Sequence, residues 1–267
     1  MHETLQDAAK VLAESRIVIG FTGAGISVES GIPDFRTKGN FWEGFDPATF
    51  EKEIDNKEVF DQNPGKVWQF FSRALQVIER AEPNDAHKAM AWLGCLGRMS
   101  AIITQNVDEL HQQAGSENVI EIHGSLMRLQ CLQCGVRYSW EEVRDGRIPP
   151  CCRCGTVLKP EVPLFGDEVN LVAFSASRTL AMNAQTIVLV GTHGNVAPVN
   201  RIPLEAKEYG ATIVEINREK SRYTDRITDY FLQGKADEIL PELARAVDIL
   251  LLTCKDENML SNRKSLH

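Results

Sequence analysis

The 267-residue chain lacks several features that mark common functional classes. It has no excess of basic residues: 29 Lys and Arg against 37 Asp and Glu give a net charge of −8. This charge argues against sequence-independent binding of nucleic acid. No apolar run approaches the roughly 18 residues of a membrane span. The N-terminal stretch "MHETLQDAAKVLAESR" is typical of a polar amphipathic helix rather than a signal peptide. We therefore predict a cytoplasmic globular protein that binds neither membrane nor nucleic acid directly.

The glycine-rich stretch "RIVIGFTGAGISVESGIPDFR" lacks the third glycine of the dinucleotide-binding fingerprint. Gly23 and Gly25 supply the first two glycines of G-x-G-x-x-G, but Val28 stands at the third position, and Gly31 interrupts the expected helix. The acidic residue usually found about 20 residues further on is also absent. The stretch predicts a nucleotide site that differs from those of hydride-transferring dehydrogenases.

Five short runs rich in Ile and Val predict parallel strands that are buried on both faces. The runs are "RIVIGF", "SAIITQN", "NVIEIHG", "TIVLVGT" and "ATIVEIN". Helical patterns lie between several of them, so the predicted fold is α/β, with a doubly wound, Rossmann-like parallel sheet. The runs end in Thr22-Gly23-Ala24-Gly25, Thr104-Gln105-Asn106, His123-Gly124, Gly191-Thr192 and Asn217. Because parallel strands place their carboxyl ends along one edge, these groups are expected to converge on one crevice.

Two segments depart from the sheet pattern and predict a smaller domain. The stretch "NPGKVWQFFSRALQVIERA" predicts a helix that begins with an Asn N-cap and a proline at the first helical position. The second segment is rich in cysteine. The predicted division is residues 1–36, 85–125 and 160–247 for the Rossmann-like nucleotide-binding domain, 37–84 for a helical insertion, 126–159 for a metal module and 248–267 for a C-terminal tail.

The cysteine spacing predicts a zinc site. Cys131-x-x-Cys134 and Cys151-x-x-Cys154 are separated by sixteen residues, which fits tetrahedral thiolate coordination of Zn²⁺. Four thiolates leave no open coordination position, so the metal is expected to be structural rather than catalytic. Cys152 is interpreted as a spare thiol, because a Cys152-x-Cys154 pair is tighter than the usual knuckle.

Taken in order, these motifs resemble those of the sirtuins, the NAD-dependent protein lysine deacylases. The resemblance covers about residues 5–247 and is carried by "GAGISVESGIPDFR", "TQNVDELHQQAG", "EIHGS", the two C-x-x-C pairs, "KPEVPLFGDE", "VLVGT" and "EIN". It implies removal of acetyl or other neutral acyl groups from protein lysines, with NAD as co-substrate and nicotinamide and O-acyl-ADP-ribose as products. A mono-ADP-ribosyltransferase that uses the same NAD site is the alternative. The target protein and the oligomeric state are not indicated.

The resemblance also assigns the NAD site to residues from separate loops. The glycine loop would approach the pyrophosphate, Asp108 would accept a hydrogen bond from the nicotinamide carboxamide, and Asn217 would hold the adenine ribose. Taken alone, Asp108 would be interpreted as the N-cap of the next helix. The implied cofactor-binding residues are Gly23, Ala24, Gly25, Ile32, Asp34, Phe35, Arg36, Gln105, Asn106, Asp108, Gly191, Thr192, His193 and Asn217.

The implied catalytic residues are His123, Gln105 and Asn106. His123 would be the general base, because an unperturbed histidine pKa of about 6.5 suits proton removal from a ribose hydroxyl at neutral pH. His111 is assigned to packing and His87 to holding a helix start. The implied substrate-binding residues, in an extended segment that could pair with a substrate strand, are Val162, Pro163, Phe165 and Gly166.

Some positions depart from the family's usual pattern. His193 and Gly194 stand where most relatives have a serine facing a phosphate and a leucine, so NAD affinity is expected to depend on pH. Pro163 replaces a usual valine, which removes a backbone donor but keeps the carbonyl. Desuccinylating relatives place a tyrosine and an arginine at the positions of Phe71 and Ala74, so a neutral acyl group is predicted.

Overall fold

Six parallel strands form the main sheet of this computed structural model, which describes residues 2–34, 50, 52–167 and 170–264. Numbered along the chain together with a second sheet, they are β1 Val18–Thr22, β2 Ala101–Thr104, β3 Val119–Glu121, β7 Thr186–Val190, β8 Thr212–Asn217 and β9 Tyr230–Gln233. Their order across the sheet is β3-β2-β1-β7-β8-β9. Every residue of β1, β2 and β7 is buried, as expected of strands covered on both faces. The five predicted strands are confirmed; the sequence does not predict β9, which contains no Ile or Val.

Helices cover both faces of the main sheet, which confirms the doubly wound architecture. The helices are α1 His2–Glu14, α2 Lys57–Gln62, α3 Pro64–Ile78, α4 Asp85–Cys95, α5 Leu110–Gln113, α6 Trp140–Val143, α7 Leu171–Asn183, α8 Ile202–Glu208 and α9 Ala236–Lys264. Helices α1, α4 and α9 share a core with Val18 and Val188. Helices α7 and α8 share another with Ile19 and Ile187. Adjacent strand residues face opposite layers because side chains alternate along a strand.

The helix predicted in the insertion is present as α3. The side-chain oxygen of Asn63 accepts a hydrogen bond from the Lys66 amide at 3.3 Å, and Pro64 is the first helical residue. Trp68 on this helix is fully buried and donates from Nε1 to the Leu158 carbonyl at 2.9 Å. The buried face of α3 therefore shares one core with the cysteine module.

A second sheet of three antiparallel strands carries the cysteine module. Its strands are β4 Ser125–Cys131, β5 Arg137–Ser139 and β6 Leu158–Glu161, in the order β5-β4-β6. Strand β4 begins one residue before the predicted start of the module, and β6 ends two residues after its predicted end. The sequence does not predict this sheet, because its strands lack long Ile and Val runs.

The C-terminal segment predicted as a tail is helical over most of its length. Residues 248–264 continue α9, and residues 265–267 lie outside the described residues. Among the helices that the structure describes, none combines the length and the apolar character needed to cross a membrane.

Candidate active site

Two glycine turns cross at the carboxyl ends of β1 and β7. The Gly25 amide donates to the Gly191 carbonyl at 2.9 Å, and the Gly23 amide donates to a carbonyl at the end of β7 at 3.0 Å. A Cβ atom on Gly25 would lie 2.6 Å from the Gly191 Cα atom, so only glycine permits this crossing. The amide of Ala24, between the two glycines, has no hydrogen-bond partner within the described ranges. It is therefore free to donate to an anionic group such as a phosphate oxygen.

A buried hydrogen-bonded cluster joins the glycine loop to the loop after β2. Asn106 Nδ2 donates to Ser27 Oγ at 3.0 Å, and Ser27 Oγ donates to Asp108 Oδ2 at 2.7 Å. Asp108 Oδ1 accepts from the Leu110 amide at 3.0 Å, so Asp108 also fixes the start of α5. Burial raises the pKa of Asp108, although these hydrogen bonds oppose the shift. Ser27 lies inside the glycine motif, but nothing in the sequence pattern indicates its link to Asp108.

Two neutral histidines lie behind this cluster. The rings of His87 and His111 meet edge to face with centroids 4.9 Å apart. Burial lowers the pKa of His87 to about 4, and burial together with His87 lowers the pKa of His111 to about 3. His87 Nδ1 lies 3.1 Å from Oδ1 of Asn84, the N-cap of α4, and His111 Nε2 lies 3.0 Å from Thr22 Oγ1. The contacts agree with a helix-start role for His87 and a packing role for His111.

His123 follows β3 and is held in one tautomer. Its Nδ1 lies 3.1 Å from the Gln105 carbonyl, which can only accept, so Nδ1 carries the proton and Nε2 carries the lone pair. Burial lowers the pKa of His123, and the hydrogen bond to Gln105 only partly offsets this shift. The Gln105 side chain in turn donates from Nε2 to Thr192 Oγ1 at 2.9 Å. The ends of β2, β3 and β7 therefore meet around Gln105.

Asn217 is the last residue of β8 and lies at the same edge of the sheet. Its Nδ2 donates to the Thr192 carbonyl and to Glu215 Oε1, both at 2.9 Å. Glu215 is fully buried and also accepts from the hydroxyls of Thr224 and Thr228. Both amide hydrogens of Asn217 are thus used inside the protein. Its Oδ1 can still accept hydrogen bonds from a ligand hydroxyl.

The segment predicted to bind substrate runs beside residues 55–57. The Phe165 amide donates to the Asp55 carbonyl at 3.1 Å, and the Lys57 amide donates to the Phe165 carbonyl at 3.0 Å. This edge of the segment is therefore occupied by the protein itself. The Phe165 side chain is 49% exposed, which leaves it available to a partner.

Charged side chains fix the remainder of this segment. Lys159 Nζ donates to the Val162 carbonyl at 2.6 Å and lies 2.9 Å from Asp167 Oδ2. The carbonyl of Pro163 has no hydrogen-bond partner in the part of the chain that the structure describes. Gly166 turns the chain with a φ of +95°. The Pro163 carbonyl is therefore available to a substrate donor.

Four thiols gather at one end of the second sheet. The Sγ atoms of Cys131, Cys134, Cys152 and Cys154 all lie within 4.8 Å of one another. Four thiolates at this separation fit the tetrahedral ligand set of Zn²⁺, with no open position for a reactant. This donor set would hold zinc in a structural role.

The cluster differs from the predicted ligand set at one position: Cys152, and not Cys151, lies with the other three thiols. Cys152 Sγ lies 3.5 Å from Cys134 Sγ. Cys151 forms an isolated antiparallel bridge with Val157, and its Sγ is directed at the Pro149 carbonyl. Adjacent residues of extended backbone point to opposite faces, so only one of the two neighbouring cysteines can join the other thiols.

The sequence profile of the Sir2 family matches residues 23–198, which carry the glycine turn, the His123 loop and the cysteines. The chain belongs to the Sir2 family. It is 42% identical over 250 residues to an NAD-dependent protein deacylase of Thermococcus kodakarensis, covering 91% of this chain and 95% of that relative.

Solved Sir2 structures have the same fold. A Sir2 homologue–NAD complex matches with a TM-score of 0.83 and 38% identity, covering 92% of this chain and 94% of that one. Sir2Af2 bound to a myristoylated histone peptide matches with a TM-score of 0.77 and 34% identity, covering 94% and 98%. These proteins are similar to the present chain over nearly its whole length.

One departure from the usual Sir2 pattern has a structural reason. Gly194 has a φ of +72°, and a Cβ atom there would lie 2.7 Å from the Tyr223 ring. The tyrosine therefore takes the space that a leucine would need. His193 precedes it and accepts at its carbonyl from the Arg222 amide. The pH dependence of NAD affinity expected from His193 stays a prediction.

The remaining residues assigned to the Sir2 cofactor site follow the glycine turn. Ile32 packs against the core of α3 and the second sheet. Asp34 is the last described residue before the gap, and it interacts with other parts of the protein. Phe35 and Arg36 lie outside the described residues, so their roles stay predictions.

Proposed function

We propose that this Sir2 protein is an NAD-dependent protein lysine deacylase that removes acetyl or other neutral acyl groups. The observation that carries the proposal is the state of His123: a neutral imidazole with Nδ1–H held by Gln105 and a lone pair on Nε2 that has no hydrogen-bond partner among the described residues. A base of this kind is ready to accept a proton at neutral pH. The sequence similarity to protein deacylases supports the same reaction.

Each side chain of the site has a separate role in the proposed reaction. NAD, when bound, supplies a ribose carbon from which nicotinamide leaves. Asp108, fixed by Ser27, would accept a hydrogen bond from the carboxamide of nicotinamide. Asn217 would accept a hydrogen bond from a ribose hydroxyl of the adenosine half. His123 Nε2 would take a proton from the ribose hydroxyl that attacks the transferred acyl group. The Pro163 carbonyl would accept the amide N–H of the acylated lysine.

The face of α3 that corresponds to the acyl-selective positions is apolar. Phe71 and Ala74 are each 3% exposed, and the Phe71 ring packs edge to face on Trp68 at 5.7 Å. Arg73 is exposed on another side of the helix. A carboxylate-bearing acyl chain would therefore enter this region without a cation from the described part of α3. This supports a preference for neutral acyl groups.

Nicotinamide release from NAD tests the function, measured with and without an acetyl-lysine peptide. The wild-type protein should release nicotinamide only with the peptide and should form free lysine and O-acetyl-ADP-ribose, while His123→Ala should stop turnover. A succinyl-lysine peptide should react far more slowly. ADP-ribosylated protein in place of free lysine would favour the transferase alternative. Equal rates on both peptides would contradict the neutral-acyl assignment.

We also infer a cytoplasmic location. The four clustered thiols are suited to metal binding in a reducing compartment, where disulfides are rare.

A further inference from the structure

One guanidinium, that of Arg128 in β4, is shared by carboxylates from three other elements. Glu109 precedes α5, Glu121 ends β3, and Glu161 ends β6. Arg128 pairs with all three, its Nε lying 3.3 Å from Glu161 Oε2. Burial alone would lower the pKa of Arg128, but the adjacent carboxylates outweigh it and raise the pKa. The guanidinium therefore stays charged between the main sheet and the second sheet.

Each of the three carboxylates adjoins a different part of the active site. Glu109 directly follows Asp108 in the chain. Glu121 lies two residues before His123, and Glu161 directly precedes the segment 162–166. The single cation thus connects the nicotinamide loop, the base and the peptide segment, although it belongs to none of them.

Glu109 has a backbone conformation that the cluster must hold in place. Its φ of +60° is the only positive value at a non-glycine residue in the described part of the chain. Side chains disfavour this left-handed region. The Glu109 carboxylate accepts from Ser125 Oγ at 2.7 Å and from Arg128. Because Ser125 lies two residues beyond His123, this carboxylate also joins the nicotinamide loop to the loop of the base.

We propose that Arg128 is a positioning residue, whose cluster with the three carboxylates sets the spacing between Asp108, His123 and the peptide segment. The kinetic part of this inference rests on the proposed deacylase function. The Arg128 side chain is 40% exposed and lies outside the three apolar cores, so its replacement should leave those cores packed. Without the guanidinium, the carboxylates would repel one another, and the three segments would move apart.

The test compares Arg128→Met and Arg128→Lys with a matched control, Arg137→Met. Arg137 is 73% exposed, and its ion pair in the described residues is with Glu161 alone. For Arg128→Met, kcat should fall about tenfold to a hundredfold, because a small displacement of the reacting groups slows the reaction by that much. KM for NAD should change less than about threefold. Arg128→Lys should recover part of kcat, and Arg137→Met should behave like the wild type. Hydrogen exchange in Arg128→Met should become faster at residues 105–110 and 123–126.

A double variant separates positioning from stability. Arg128→Met combined with Glu121→Gln removes a carboxylate whose ion pair in the described residues is with Arg128 alone, so it should regain thermal stability without regaining kcat. Unchanged kcat and exchange in Arg128→Met, an equal loss in Arg137→Met, or a kcat that recovers with stability would each overturn the proposal. If the wild type proved inactive, the deacylase function would fail, and the exchange comparison would still decide the positioning role.

Discussion

The NAD side and the peptide side of this site are held by different kinds of interaction. On the NAD side, buried hydrogen bonds such as that from Asn106 to Ser27 join the strand ends. On the peptide side, the ion pair of Lys159 with Asp167 holds the segment after β6, and the thiol cluster lies in the second sheet from which this segment leaves. Several hydrogen bonds in one buried network fix one another's geometry, whereas the charged contacts of the peptide segment depend largely on one buried side chain, Lys159. The difference indicates that the reacting groups are fixed most firmly where bonds are broken.

The strongest way to break this comparison is to remove the thiol cluster from the peptide side. Cys152→Ser should reduce zinc content from about one ion per chain to far less, and the second sheet should lose its fixed structure, because metal binding there contributes directly to folding. Metal analysis and thermal unfolding measure both effects.

Cys151→Ser is the matched control, since its thiol is directed away from the cluster. It should bind zinc like the wild type. Zinc loss in Cys151→Ser together with normal zinc in Cys152→Ser would reverse the ligand assignment.

On the NAD side, Asp108→Asn should have opposite effects on activity and on stability. Nicotinamide release should fall about a hundredfold, as when one polarising group is lost. Burial raises the folded-state pKa of Asp108 above its ordinary value of 3.8, so between these two values the folded protein binds more protons than the unfolded chain, and stability falls as pH rises.

Asparagine cannot ionise, so the stability of Asp108→Asn relative to the wild type should improve as pH rises from about 4 through the raised pKa of Asp108. Urea unfolding at several pH values measures this trend. A relative stability that declined with pH would contradict the role of burial.

A smaller effect is expected from the charges of the peptide side. Lys159→Met should raise KM for the peptide about tenfold, because the Val162 carbonyl and Asp167 lose a buried donor. KM for NAD should stay unchanged. Lys57→Met is the control, since Lys57 is half exposed and 4.0 Å from Asp167. Equal KM values for the peptide in Lys159→Met and Lys57→Met would contradict the proposal that Lys159 holds the peptide side.

The main sheet could be predicted from the sequence because local composition decides it. The runs "RIVIGF" and "TIVLVGT" form β1 and β7, in which every residue is buried. Their Ile and Val content alone indicates parallel strands. The position of the polar residues at one edge of the sheet then follows from the parallel order of the strands. His123 and Gln105 meet because parallel strands end at the same edge.

Contacts between distant segments could not be predicted in this way. The spacing of cysteines does not record which face of an extended segment each one takes, so it predicts Cys151 where the structure brings Cys152 into the cluster. Glu109, which has the left-handed backbone, pairs with Arg128, nineteen residues further on. Ser27 acquires its role only when β2 brings Asp108 beside it.

The pH dependence of kcat/KM for an acetyl-lysine peptide tests the central claim, that His123 Nε2 is the base. Burial lowers the pKa of His123 from 6.5, and protonation below that pKa removes the lone pair. The wild-type kcat/KM should therefore rise with pH along an acid limb whose midpoint lies below 6.5, and His123→Ala should abolish turnover. A midpoint above 6.5, or a His123→Ala protein that retains turnover with the same acid limb, would contradict the account.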